Sequence, residues 1–567
     1  MVLPVLLVTG LYFAVSISVG FWVARRERNV PDDYFLAGRR LPWYAVAMSM
    51  TGSNIGTEHF IGMVGTAYAF GLAPATFEWG NFIPYSILMW IFLPYFFRKK
   101  LYTIPEFLER RYGPPTRAVF AGLSLLHMVF AVLTPALYAG GRILYEMIAR
   151  KPLIVFTSGT AAGGADFASG PFSAFAGCTL LIAAATAAYC IYGGLLSVVW
   201  TDVLQVAILA AGGALLVILG IHDAGGFSEV VRRNLEADPT RFSLILPADH
   251  PVSPWTGVAT FWFTLSLWYV GTNQFYIQRC LGARSEWDAK MGVVACAFMK
   301  VFLPLIIVFP GLVAFAKFGP GLPRDAVYVK MINTFLGTGF YGALGQGLLL
   351  AALIAAIMST VSSVLNSSST IWSVDIYKRH LRKDASDERI VRVGRWTTFV
   401  IIVIGTVCAP LLLWWRQGIF LYIQDMAAFF APPISVIFLA AFLWRRAHGR
   451  AATATLIGGI VAGIALKAAA ELAGKAGGGG LESFLEFCKP LLNRAAVTWF
   501  LCAGCLVICT YILRPSPRER PDPEAIWNLR WARLPETERP RNRGFRNLLF
   551  WWLLMVAVST SLFIIFR

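Results

Sequence analysis

Several side chains able to carry charge or hydrogen bonds stand inside long apolar runs: His59, Glu78, Asp202, Lys300 and Asp425, with Arg142 and Glu146. An ionisable group held in hydrocarbon costs on the order of 2.5–3.5 kcal/mol, so each needs a partner or a task. His59 and Met63 are spaced i, i+4, and Glu78 and Asn81 i, i+3, so each pair shares one helix face. Lys300 lies well within an apolar run, and Gln424 and Asp425 interrupt another that begins at Ile419. With the aromatic Tyr269, these residues supply a carboxylate, an imidazole, an ammonium, an amide and a ring face. In a dry pocket, a carboxylate and an amide can accept from and donate to vicinal hydroxyls, while a ring covers the apolar side of a sugar-like molecule. The alternative is a buried polar network that only holds helices together. Arg142 and Glu146, at i, i+4, read as a structural ion pair.

A second constellation is built of hydroxyls. Ala356, Ser359, Thr360 and Ser363 fall at 0, +3, +4 and +7, one stripe on an otherwise apolar helix, with Ser362 beside it. A serine in a membrane helix usually bonds the carbonyl four residues back, and so many hydroxyls exceed that need. Oxygen ligands of this kind suit a small, hard cation. Free backbone carbonyls would come from the segment Thr51 to His59 (TGSNIGTEH), too polar and glycine-rich to continue as a helix in hydrocarbon. Non-helical backbone at that depth survives only where it is buried in protein or lines a cavity. A broken helix there aims backbone dipoles at a ligand near the midplane. Asp202, after Trp200 and Thr201, would add a negative charge. His59 beside Glu58 suggests an enzyme, but no nucleophile–base pair or metal-ligand spacing accompanies it.

The elements that position these residues must be membrane helices. Of 567 residues, 57% are hydrophobic and only 14% charged, and mean hydropathy is +0.63. These values exclude a soluble enzyme, a disordered scaffold and a secreted disulfide framework. The fold class expected is an all-α integral membrane protein with about 14 spans, each needing about 20 apolar residues: 4–23, 43–71, 76–97, 118–148, 172–192, 197–221, 255–275, 292–316, 341–377, 396–415, 419–444, 451–472, 495–513 and 548–566. The +18 net charge reflects Lys and Arg gathered in alternate loops, about 33 on one side against about 14 on the other, which sets orientation rather than a nucleic-acid surface. The rich side is cytoplasmic, so both termini are expected outside a cell-membrane protein. Leu101–Gly113 reads as an amphipathic surface helix opening after Thr103. The stretch 514–546, rich in Pro and Arg, reads as a basic cytoplasmic connection unable to build a core. Helix 255–275, interrupted at Ser266 and Gly271 to Gln274, is a counterpart of 43–71 and suggests two five-helix halves.

At these residues the sequence resembles the sodium/solute symporters, and within them the sodium/glucose cotransporter branch. The match is carried by DDYFLAGRRLPWYAVAMSMTGSNIGTEHFIGMVG from Asp32, FEWGNF from Phe77, YTIPEFLERRYG from Tyr102, WTDVLQV from Trp200, NQFYIQR from Asn273 and MSTVSSVLNSSSTIWSVDIYKR from Met358. The resemblance implies a LeuT-type core of two inverted five-helix repeats, 43–254 and 255–448, preceded by 1–42 and followed by accessory helices in 449–567. It implies sodium-coupled import of a hexose-like sugar by alternating access. The sodium site falls on the carbonyls of Gly52, Ile55 and Ala356 and the hydroxyls of Ser359 and Thr360, and a second sodium on Asp202, Ser362 and Ser363. The sugar site falls on His59, Glu78, Asn81, Ser266, Tyr269, Lys300 and Gln424. Gates fall on Met63, Phe77 and Phe420 outside and Tyr269 inside. Two departures, Val270 and Leu421, replace an aromatic and a glutamine common in the branch and enlarge or dry the pocket. A symporter for another polar solute, such as a sialic acid, and a non-transporting sensor of the same fold stay open as alternatives.

Overall fold

Peptide groups in hydrocarbon can be satisfied only within helices or closed barrels, and a chain this apolar takes the first course. The computed structural model describes residues 2–26, 29–56, 58–149, 170–337, 339–414, 419–472, 480–516 and 522–567. Among them the chain is mostly helical, with no β-strand. Ten runs are long and apolar enough to cross a membrane, or eleven when the pair Glu286–Phe302 and Pro304–Phe318, bent by 40°, is taken as one. The expected fourteen differ from this in three places, each with a local cause: two helices are broken, and two expected spans run together.

The first break falls within the polar segment predicted for it. Trp43–Asn54 is helical, Ile55 turns extended (φ −92°, ψ 97°), and the chain resumes as a wide π-type turn over Glu58–Met63 before Val64–Phe70. The second lies at Asn273 (φ −74°, ψ 126°), between Leu267–Thr272 and Gln274–Leu281. The Asn273 carbonyl accepts from the amides of Tyr276 and Ile277 and so starts the next segment, which carries the helix past the expected end at Phe275. The merged run is Gly170–Asp223, where Gly194 alone leaves helical geometry (φ 48°, ψ −147°). A Cβ there would lie 2.3 Å from the Tyr34 carbonyl oxygen. The two expected helices are therefore real segments that meet at a glycine corner packed on the polar link after the first span.

All of this surrounds one post, Phe340–Thr370, continued by a wider helix over Ile371–Leu381. Its apolar window is 94% buried, because Ala, Gly and Ser let neighbouring backbones close in, as small residues do in membrane interfaces. A Cβ on Gly212, for example, would stand 2.8 Å from Ala352 Cβ.

The short helix expected after Thr103 forms over Ile104–Tyr112. The Thr103 hydroxyl caps the Glu106 amide, and Pro105 sits in the first turn. Arg117 joins Asp375 (2.5 Å) and Glu109, and Arg379 adds a second bond to Glu109. Partial burial raises the Glu109 pKa, but the two guanidiniums outweigh it and hold the carboxyl below its usual range.

The stretch 514–546 does more than connect. It builds no core, yet its described residues 522–546 are docked as a strap. Trp527 donates its ring N–H to the Trp90 carbonyl (2.9 Å), Glu538 accepts from the amides of Glu286 and Trp287, and Arg541 pairs with Asp288 (2.5 Å). Glu538 thereby caps the N-terminus of the helix Glu286–Phe302, and Arg541 neutralises an acid in its first turn.

Gly194→Ala should lower the thermal midpoint of the purified protein by several degrees, since both the positive φ and the Tyr34 contact oppose a side chain. Gly504→Ala, with nothing within 4 Å of the added methyl, should leave it unchanged or slightly raised.

Candidate functional site

The first break lets the following turn present His59 and Met63 to a cavity, and a second close approach completes the wall. Gly80 follows the short helix Thr76–Trp79, and a Cβ on it would sit 2.1 Å from the Trp262 ring nitrogen. That proximity brings Asn81 against Ser266, whose hydroxyl donates to the Asn81 side-chain oxygen, while Asn81 Nδ2 donates to the Phe77 carbonyl (2.7 Å). Lys300 Nζ reaches Glu78 Oε2 at 2.5 Å, and His59 Nε2 lies 3.4 Å from Glu78 Oε1. His59 Nδ1 accepts from the Gly56 amide at 3.2 Å, so the ring hydrogen is assigned to Nε2, facing Glu78.

One cavity is lined by all seven residues expected for the solute, His59, Glu78, Asn81, Ser266, Tyr269, Lys300 and Gln424, and also by Met63 and Phe77. Phe77 packs edge-on against Phe261 at 5.2 Å, and the Tyr269 hydroxyl donates to the Ser53 carbonyl at 3.5 Å. Phe420 is the second residue of the helix Ile419–Leu443, but its side chain lies outside the described residues, as does that of Leu421. The cavity is also bounded by Ser53, Asn54, His127, Trp268 and Thr360. Val270 is buried outside this lining.

Next to this cavity the break meets the hydroxyl stripe. A Cβ on Gly52 would stand 3.0 Å from Ser359 Oγ and 3.5 Å from Asp202 Cβ. Ser359 donates to Asp202 (2.6 Å), and Thr360 to the Ala356 carbonyl (3.1 Å). Ile55, at the C-cap of the first half-helix, is the first residue with a non-helical carbonyl. Asp202 also accepts from Ser49 at 2.5 Å. Arg279, which the sequence reading did not single out, is fully buried and enters the same group. It lies 3.6 Å from Asp202 and donates to Ser363 (2.6 Å) and Ser49 (3.2 Å), while Ser362 donates to the Ser359 carbonyl.

Asp425 is placed elsewhere. It is held by Lys467 and Arg494 beside a separate cavity, so adjacent Gln424 and Asp425 serve different surroundings. Arg279 and His127 were both missed, although a charge or imidazole within an apolar run is the very signal that drew attention to Lys300 and His59. Arg142 and Glu146 pair at 2.9 Å as expected.

A membrane bundle with two interrupted helices, a polar cavity at one break and an oxygen-rich cluster beside it defines the class of secondary transporters. Within that class, the chain belongs to the sodium:solute symporter family, whose model matches residues 34–151 and 153–459. It is 34% identical over 488 residues to the sodium/glucose cotransporter of Vibrio parahaemolyticus, covering 82% of this chain and 84% of that one. It is 30% identical over 500 residues to the sodium/myo-inositol cotransporter of Mus musculus, with coverages of 80% and 66%. A solved, substrate-bound outward-open structure of a Na+-coupled sialic acid symporter superposes with a TM-score of 0.71 at 21% identity, covering 91% of this chain and 99% of that chain. The fold is the LeuT type, and the protein is a multi-pass membrane symporter, not an enzyme, with sodium as its coupling ion.

The Glu78–Lys300 pair makes a quantitative prediction. Lys300→Met strands a buried carboxylate and should destabilise the protein by about 3–5 kcal/mol, whereas Glu78→Gln with Lys300→Met together should recover most of that loss. Thermal unfolding of the three variants in one detergent measures the difference.

Proposed function

We propose that this symporter imports a neutral, hydroxyl-rich solute of hexose-like size, a sugar, together with sodium. The observation that carries this reading is the Glu78–Lys300 contact. Lys300 is the only Lys or Arg among the described residues lining the cavity, and it is already committed to Glu78. A carboxylate solute would meet no free cation and one fixed anion. A sugar instead finds acceptors and donors that stay balanced in charge, with Tyr269 and Trp268 to cover its apolar face. Similarity to proteins named for glucose and myo-inositol, both uncharged polyols, supports the same choice. Likeness to the sialic acid symporter extends to the fold alone.

In the cycle we propose, sodium is held by the carbonyls of Gly52, Ile55 and Ala356 and the hydroxyls of Ser359 and Thr360. It fixes the broken helix against the serine-rich post and so organises His59 and Met63 for the solute. Met63, Phe77 and Phe420 close the outer side and Tyr269 the inner, as halves 43–254 and 255–448 rock against each other. Both termini lie outside, and transport is inward. The positive charge of Arg279 beside Asp202 and Ser363 supports one sodium per cycle, with the arginine where a second ion would otherwise be needed. One charge moving across ~100 mV releases ~2.3 kcal/mol. A tenfold sodium gradient adds ~1.4 kcal/mol, so one ion sustains roughly 500-fold accumulation.

The test is uptake of a panel of labelled sugars and acids into proteoliposomes under an inward sodium gradient, with potassium as the control. One sugar should accumulate only with sodium, with charge and solute fluxes in a one-to-one ratio. Glu78→Ala should abolish uptake, and Thr360→Ala should raise the sodium concentration for half-maximal uptake about tenfold or more. Sodium-driven uptake of an acid and of no sugar would overturn the sugar assignment.

A further inference from the structure

Several polar groups of the cavity satisfy one another, while Asn54 Oδ1 is buried there without a hydrogen-bond partner among the described residues. Glu78 is bonded by Lys300 and His59, and Asn81 by Ser266. His127 is only 6% exposed and lines the same cavity, yet it forms no hydrogen bond or ion pair with any described residue. A buried polar group without a partner costs free energy unless water or a ligand supplies one.

Its setting is built. The helix Pro114–Leu126 widens into a π-type turn that begins at His127 and runs to Leu133. Such one-residue offsets re-aim a side chain and recur at functional sites. The ring is clamped edge-on between Trp268 at 4.8 Å and Phe430 at 5.3 Å, so it is held in place by contacts that use none of its hydrogen-bonding capacity. If packing were its whole role, phenylalanine would serve the position equally well.

We propose that His127 is a solute-recognition residue, whose imidazole hydrogen-bonds a hydroxyl of the solute at a point on the cavity wall supplied by a different helix from Glu78 and Lys300. As a neutral ring it offers one donor and one acceptor, which matches an alcohol. The inference rests on the sugar reading above and adds a second polar contact to it. A site built to bond a hydroxyl discriminates against an analogue lacking it, because its own group is then left unpaired.

The experiment is competition of the transported sugar by its monodeoxy analogues in proteoliposomes, for wild type, His127→Phe, His127→Leu and His127→Gln. Wild type should disfavour one deoxy position by about tenfold or more. In the Phe and Leu variants, KM for the parent sugar should rise by a similar factor, and the penalty at that one position should vanish. Penalties at the other positions and the sodium concentration for half-maximal uptake should not move. The Gln variant, which keeps a donor and an acceptor, should recover part of the discrimination. Having two apolar variants of different shape keeps the test open if one does not fold. Wild-type KM and an unchanged deoxy profile in whichever apolar variant reconstitutes would overturn the proposal while leaving the sugar assignment standing. Absence of sugar uptake by wild type would overturn both.

Discussion

Unpaired peptide groups near the middle of a bilayer have to be enclosed by protein, and most of this architecture follows from that constraint. The break after Asn54 frees carbonyls that no water in hydrocarbon could satisfy. The post Phe340–Thr370 is correspondingly the most enclosed of the helices long and apolar enough to cross a membrane. The residues that allow that enclosure, small ones such as Ala352 and Ser359, also place hydroxyls and carbonyls against the break. The packing that makes an unwound helix tolerable therefore creates, at the same place, an oxygen-rich surface.

Charge is treated in the same way. Among the described residues, the buried acids discussed here each have a basic partner from a distant part of the chain: Glu78 with Lys300, Asp202 with Arg279, Asp375 with Arg117, Asp425 with Arg494 and Lys467. Such pairs add little net stability over well-packed apolar groups, yet breaking one leaves an uncompensated charge. Each pair ties together segments far apart in the chain, so separating those segments would strand a buried charge. In the cavity, pairing has a further consequence: its one Lys, Lys300, is already joined to Glu78, so the wall offers hydrogen-bonding groups rather than an unpaired ammonium.

The cavity and the oxygen-rich cluster share residues and direct bonds. Thr360 lines the cavity and belongs to the hydroxyl stripe. Ser53 gives its carbonyl to Tyr269 and its hydroxyl oxygen accepts from Ser363, which in turn accepts from Arg279. A ligand that repositions the segment Ser53 to Ile55 thus acts on both places through direct bonds, the kind of shared element that lets two ligands bias one equilibrium.

Much of this was legible in the residues alone. Hydropathy located the spans, because burial in lipid requires unbroken apolar runs. The cluster TGSNIGTEH announced the first break, because no helix in hydrocarbon would carry it. The polar residues inside spans pointed to Glu78, Lys300 and His59 for the same reason. Which of them meet was decided only by tertiary structure. Nothing in the spacing of Gln424 and Asp425 says that one faces the cavity and the other Lys467 and Arg494. Arg279 beside Asp202, His127 at the start of a widened turn, and a docked strap in a stretch composed like a free loop likewise depend on contacts between segments far apart in the chain. Sequence determines what each helix must hide or satisfy, because that cost is local. The partner that satisfies it is chosen by how the helices pack, because that choice is made in three dimensions among many chemically equivalent groups.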